Sequence, residues 1–91
     1  MLRYVHMNVK ILTAQEKWFE AEAKEVVLPG DDGEFSVLDF HQPCVYSLRP
    51  GQVKVRFKKT ETSQGEEKRF TIKLGVAKMG IGELIILAER F

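Results

Sequence analysis

Apolar and polar residues trade places along this chain mostly in steps of two. Met7, Val9 and Ile11, with Leu12 beside them, predict a half-buried strand over residues 7–12. Val53, Val55 and Phe57 alternate with Lys54, Arg56 and Lys58, which gives one apolar face and one strongly basic face. Phe70, Ile72 and Leu74 alternate in the same way with Arg69, Thr71 and Lys73, so that segment is the natural partner of the one before it. Between them, Lys59 to Glu67 (KTETSQGEE) reads as an exposed hairpin connection around Gly65. Further on, Gly75, Gly80 and Gly82 separate a short strand at Val76–Met79 from the unbroken apolar run Leu84–Leu87, which predicts burial on both faces. Strands at this spacing predict an all-β fold: an antiparallel sandwich or flattened barrel of about 8–10 short strands, in one domain over residues 1–91.

One segment breaks the period. Thr13-Ala14-Gln15-Glu16 has the form of a helix capping box, and Phe19, Ala23, Val26 and Val27 recur at helical spacing among alanines and glutamates. On its residues alone this stretch predicts an amphipathic helix over 14–27.

The chain is organised around Glu25 to Gly51, EVVLPGDDGEFSVLDFHQPCVYSLRPG. An apolar start stops at Pro29-Gly30, three carboxylates (Asp31, Asp32 and Glu34) bracket Gly33, and an apolar return leads to His41-Gln42-Pro43 and a second break at Pro50-Gly51. Apolar runs that stop at proline and glycine and restart within a few residues describe a chain doubling back at the rim of a β structure. The acidic cluster is therefore expected at an exposed loop tip, where binding residues concentrate.

Composition narrows what such a fold can do. Fourteen Lys and Arg against thirteen Asp and Glu leave a net charge of +1, so there is no global field to draw in nucleic acid or anionic lipid, and any electrostatic function is local. The single cysteine, Cys44, forms no internal disulfide, and the opening MLRYVHMNVK lacks the apolar run of a secretory signal; both suit a reducing cytosol. No apolar stretch approaches the roughly 20 residues that span a bilayer, so membrane association would come through a partner.

Candidate chemistry is sparse. With two histidines, one cysteine, no Gly-rich phosphate loop and no zinc-ligand spacing, the sequence predicts no catalytic residue, no metal site and no cofactor. Cys44 and His41 are three apart, which puts them on opposite faces of a strand, and Cys44 reads as a small packed hydrophobe. Asp31-Asp32-Gly33-Glu34 lacks the alternating ligands and distant glutamate of a calcium loop and reads, on its residues, as a solvated turn. Lys54, Arg56, Lys58, Lys59, Lys68, Arg69 and Lys73 make a potential positive stripe. Phe57 and Phe70 point away from it, which favours a solvated sheet face or an acidic protein partner over stacked nucleic acid.

Several short motifs in order resemble the amino-terminal domain of the epsilon subunit of F-type ATP synthases: Gly33-Glu34-Phe35-Ser36, then His41-Gln42-Pro43, then Arg49-Pro50-Gly51. The flanking VKILTAQEKWFEAEA and KLGVAKMGIGELIILAERF are similar to that family's opening and closing strands, so the resemblance covers nearly the whole chain. Departures fall at Asp39-Phe40, Cys44 and Lys73-Leu74-Gly75. The resemblance implies strands near 18–21 and 24–28 in place of the helix. It also implies a non-catalytic rotor subunit that links the gamma subunit to the membrane c-ring and couples ion flow to ATP synthesis, at the cytoplasmic face of an energy-transducing, bacterial inner membrane. By the same resemblance Glu34 matches the family's acidic ring contact, Gly33 turns the backbone beside it, His41 matches the histidine of the second loop, and Asp31 and Asp32 belong to the contact loop. The face toward gamma is left open. The family usually continues into an α-helical hairpin, so a chain ending at Phe91 is expected to be either a short form or a piece of a longer chain, in neither case with nucleotide binding or an inhibitory arm. The rival reading is a free-standing small β-barrel that binds RNA or an acidic protein.

Overall fold

The computed structural model describes residues 7–38, 42–58 and 65–91, and these form nine strands and no helix. In chain order they are β1 (Met7–Leu12), β2 (Lys17–Ala23), β3 (Glu25–Gly30), β4 (Gly33–Leu38), β5 (Cys44–Leu48), β6 (Gly51–Arg56), β7 (Glu67–Ile72), β8 (Leu74–Gly80) and β9 (Glu83–Glu89). They join in one sheet ordered β2-β1-β9-β8-β5-β3-β6-β7, with β4 paired to the other edge of β3. Only Arg49 and Pro50 separate β5 from β6. β3 bridges the two, pairing Gly30 with Leu48 and Glu25–Val27 with Lys54–Arg56. The sheet folds over at this point, so β2-β1-β9-β8-β5 lies across a single core from β4-β3-β6-β7.

Alternation decides which side chains enter that core. Val9, Ile11, Leu84, Ile86, Ala77 and Met79 come from one half, and Val26, Leu28, Val37, Val53, Val55 and Ile72 from the other, all buried. The predicted β6–β7 hairpin is present, with Val53 opposite Phe70 and Arg56 opposite Glu67.

Three expectations change. The sheet is mixed rather than purely antiparallel, because β1 runs parallel to β9, with Val9 opposite Leu84 and Ile11 opposite Ile86. No local pattern in the sequence specifies that pairing of the chain's two ends. The helix that residues 14–27 predict on their own is absent, and β2 (Lys17–Ala23) and β3 (Glu25–Gly30) stand there, as the resemblance implied. Thr13 Oγ1 does accept the backbone N–H groups of Gln15 and Glu16 (3.3 and 3.2 Å), as a helix cap would. The Thr13 N–H, however, donates to the Glu16 carbonyl at 2.9 Å, closing a turn that feeds β2 back along β1. Last, Leu84–Leu87 is not buried on both faces: Leu84 and Ile86 are enclosed, while Leu87 is 55% exposed and Ile85 half-buried, because the core covers only one side of β9.

Both open sides of the folded sheet are closed by aromatic rings. A bulge skips Trp18 between the pairs Ile11–Phe19 and Leu12–Lys17. Trp18 then meets Phe70 edge-on at 5.2 Å, and Phe19 meets Phe70 and Phe57 at 4.8 and 6.4 Å. On the opposite side Phe35 of β4 packs on Tyr46 of β5 at 4.5 Å. Phe70→Ala removes the centre of the larger seam and is expected to cost about 2–3 kcal/mol in chemical denaturation. Val45→Ala, on the exposed side of β5, should stay within about 0.5 kcal/mol of the parent. Equal effects at the two positions would show that the seam does not hold the sheet shut.

Candidate functional site

The acidic cluster is the tip of the β3–β4 hairpin. Gly30 pairs with Gly33, leaving Asp31 and Asp32 as an exposed turn. Gly33 has φ +121, a backbone geometry that L side chains rarely adopt, so the residue after the two aspartates has to be glycine. Gly51 braces the turn from behind: a Cβ there would lie 2.8 Å from the Pro29 ring, while the Arg49 N–H donates to the Pro29 carbonyl at 2.9 Å. Beside the turn lies a small cleft of about 340 Å³ walled by Phe35, Tyr46 and Ser47.

Of the sequence-predicted contacts, Asp31 and Asp32 make no ion pair among the described residues. Glu34 is engaged, its carboxylate 3.1 Å from the Lys54 ammonium. His41 lies outside the described residues. Of the described residues around it, β4 runs from Gly33 to Leu38, about 17 Å of extended chain, and β5 resumes at Cys44, which pairs with Met79 beside the β8–β9 turn.

The basic stripe is not a continuous field. Arg56 sits between Glu25 (3.2 Å) and Glu67 (2.9 Å), Arg69 reaches Glu67 at 2.6 Å, and Lys73 lies 3.7 Å from Glu89. These pairs hold the Glu67 carboxyl below the usual carboxylate range, Arg56 contributing most, and the hydrogen bond from Ser36, followed by Arg56, does the same for Glu25. Lys68 lies over the Phe19 ring at 5.7 Å. Carboxylates interleaved with the cations repel a phosphate chain, which argues against the nucleic-acid reading. Among the described residues no cluster of His, Cys, Asp or Glu could hold a metal ion.

The surface that sequence reasoning missed lies on the outside of β5, β8, β9 and β1. Val45, Leu74, Val76 and Leu87 are 65, 48, 42 and 55% exposed there. Val76 pairs with Leu87, and Leu87 with Leu12, so the apolar side chains form a continuous band. At its end, Leu12, Leu74, Val76, Leu87 and Phe91 line a groove of about 810 Å³. Position parity carried the signal: once Leu84 and Ile86 face inward, Ile85 and Leu87 must face outward.

Residues 6–91 match the family described as ATP synthase, Delta/Epsilon chain, beta-sandwich domain. The chain is similar to the ATP synthase epsilon chain of Bordetella parapertussis, 36% identical over 83 residues that cover 91% of this chain and 56% of that one. It is likewise 35% identical to the epsilon chain of Bordetella avium, covering 91% of this chain and 55% of that protein. The chain thus spans little more than half the length of these relatives. In fold it resembles a chain in the Euglena gracilis mitochondrial ATP synthase OSCP/F1/c-ring structure, with TM-score 0.79, 20% identity and coverage of 93% of this chain and 51% of that one. A chain in the Tetrahymena thermophila mitochondrial ATP synthase central stalk/c-ring structure matches with TM-score 0.71 and 16% identity, over 91% and 63% of the respective chains.

Tyr46 gives the cleft a spectroscopic handle. Its hydrogen bond with Cys44, and then partial burial, push its phenol up from 10.0 to about 12. The folded state favours the neutral phenol, so the stability this supplies is complete below pH 10 and lost as pH rises from 10 towards 12. Across that window the melting temperature of the parent should fall more steeply than that of Tyr46→Phe. Parallel slopes would mean that the phenol is not held by its neighbours.

Proposed function

The chain belongs to the beta-sandwich family of ATP synthase delta and epsilon chains, and from that premise we propose that it is a non-catalytic epsilon-type subunit of the rotating central stalk. In this reading it sits between the gamma subunit, which forms the shaft, and the c-ring, and keeps the two turning together so that ion flow drives ATP synthesis. It is held at the energy-transducing membrane through that complex, and the Bordetella relatives favour the cytoplasmic face of a bacterial inner membrane. The observation that carries the reading is the bare apolar band over β5, β8, β9 and β1, a surface suited to a stable protein interface.

Magnitudes divide the work between the two surfaces. An exposed ion pair contributes only about 0.2–1 kcal/mol, too little for the acidic tip alone to hold a rotor under load. Stable interfaces bury more than roughly 1,000 Å² around an apolar centre. The band is therefore assigned to gamma and supplies the affinity. Asp31 and Asp32, with Gly33 shaping the turn and Glu34 beside it, are assigned to registration on basic or amide groups of the ring. His41, which lies outside the described residues, is assigned to the same contact through the family's second loop.

Two outcomes test the assignment. The chain should co-purify with the gamma subunit of its own organism at moderate salt, whereas an RNA-binding module would lose its partner steeply over that range. In the assembled enzyme Asp32→Lys should weaken coupling between ATP hydrolysis and ion pumping without lowering the melting temperature of the isolated domain. Unchanged coupling would remove the registration role and leave gamma binding standing.

A further inference from the structure

The apolar band contains one charge with no counter-ion among the described residues. Val45, Lys78, Ile85 and Lys10 stand in a single row across β5, β8, β9 and β1, each paired with the next. Lys10 has Glu83 at 3.7 Å, and at the margins Lys73 meets Glu89 and Arg90 meets Glu16 at 3.7 and 3.6 Å. Arg90 also lies over the Trp18 ring, 4.1 Å from its centre. Lys78 is exposed and flanked by Val45 and Ile85, with Val76 two positions before it on the same face.

In the free protein water solvates this ammonium, and it asks for nothing. A partner that covers the row strips the water away, which is costly unless the partner brings an acceptor. An uninterrupted apolar surface is thereby disfavoured, and a basic one more so. A second copy stacked about a two-fold axis close to Lys78 is disfavoured as well, because the two ammonium groups then approach each other.

We propose that Lys78 is the specificity-determining group of this face, and that the face takes a partner protein whose apolar surface carries one carboxylate opposite Lys78. This rests on the reading of the band as the seat of the gamma subunit and adds the chemistry by which that seat discriminates. Because Lys78 is on the outer surface, replacing it leaves the core untouched, and circular dichroism would verify the fold of each variant.

Binding of the 91-residue chain to the gamma subunit of its own organism, followed by titration calorimetry, tests the proposal. Lys78→Met should weaken binding by roughly 30-fold or more, since it leaves the partner's carboxylate buried and unpaired, while Lys78→Arg should keep most of the affinity. If Lys78→Met binds as tightly as the parent while Leu87→Asp abolishes binding, the band is the seat but Lys78 does not select the partner. If Leu87→Asp binds like the parent, the band is not the seat and both readings fall. Sedimentation supplies the remaining outcome: a parent chain that dimerises, and loses that dimer in Leu87→Asp, would make a second copy the occupant and overturn the proposal.

Discussion

The fold depends on ring contacts across a gap that backbone hydrogen bonds do not close. β2 and β7 are the two ends of the sheet path and exchange no ladder bonds, so the halves stay together on that side through Trp18, Phe19, Phe57 and Phe70. Phe35 and Tyr46 do the same between β4 and β5. Aromatic side chains suit the task because each presents a large apolar area with few rotatable bonds. With both sides closed, one small core holds nine strands, and the hairpin tips are fixed well enough to act as contact points.

The same economy leaves one sheet face bare. A chain of 91 residues buries a modest fraction of its surface, and here one core absorbs the inward side chains of both halves. Leu74, Val76, Ile85 and Leu87 on the outer side of β8 and β9 are nevertheless apolar, a combination that fits the proposed docking on a partner. On the outer side of β3, β6 and β7 the pattern is reversed: Lys54, Arg56 and Arg69 meet carboxylates of the same chain, giving a face that is charged yet locally neutral. The domain thus has one charged outer side and one with a bare apolar band.

Much of this was legible in the residues. The alternation of Val53 and Val55 with Lys54 and Arg56 identified β6 and its facing, and Asp31-Asp32-Gly33 marked a hairpin tip because few residue combinations turn a strand so tightly. The misreadings have physical causes. Thr13 makes the hydrogen bonds of a helix cap inside a turn, and the alanine-rich stretch after it becomes strand because pairing with β1 brings Phe19 to the seam and encloses Ala23. The run Leu84–Leu87 was read as buried on both faces because apolar residues look alike whether they await their own core or another protein's.

The parallel pairing of β1 with β9 has a mechanical consequence. Because the two strands run the same way side by side, a pull applied at Met7 and at Glu89 in opposite directions slides one along the other and loads all their shared hydrogen bonds at once. An antiparallel pair held at adjacent ends would open like a zipper, one bond at a time. Under the proposed rotor role, this shear resistance between β1 and β9 would keep the domain stiff while torque passes through it.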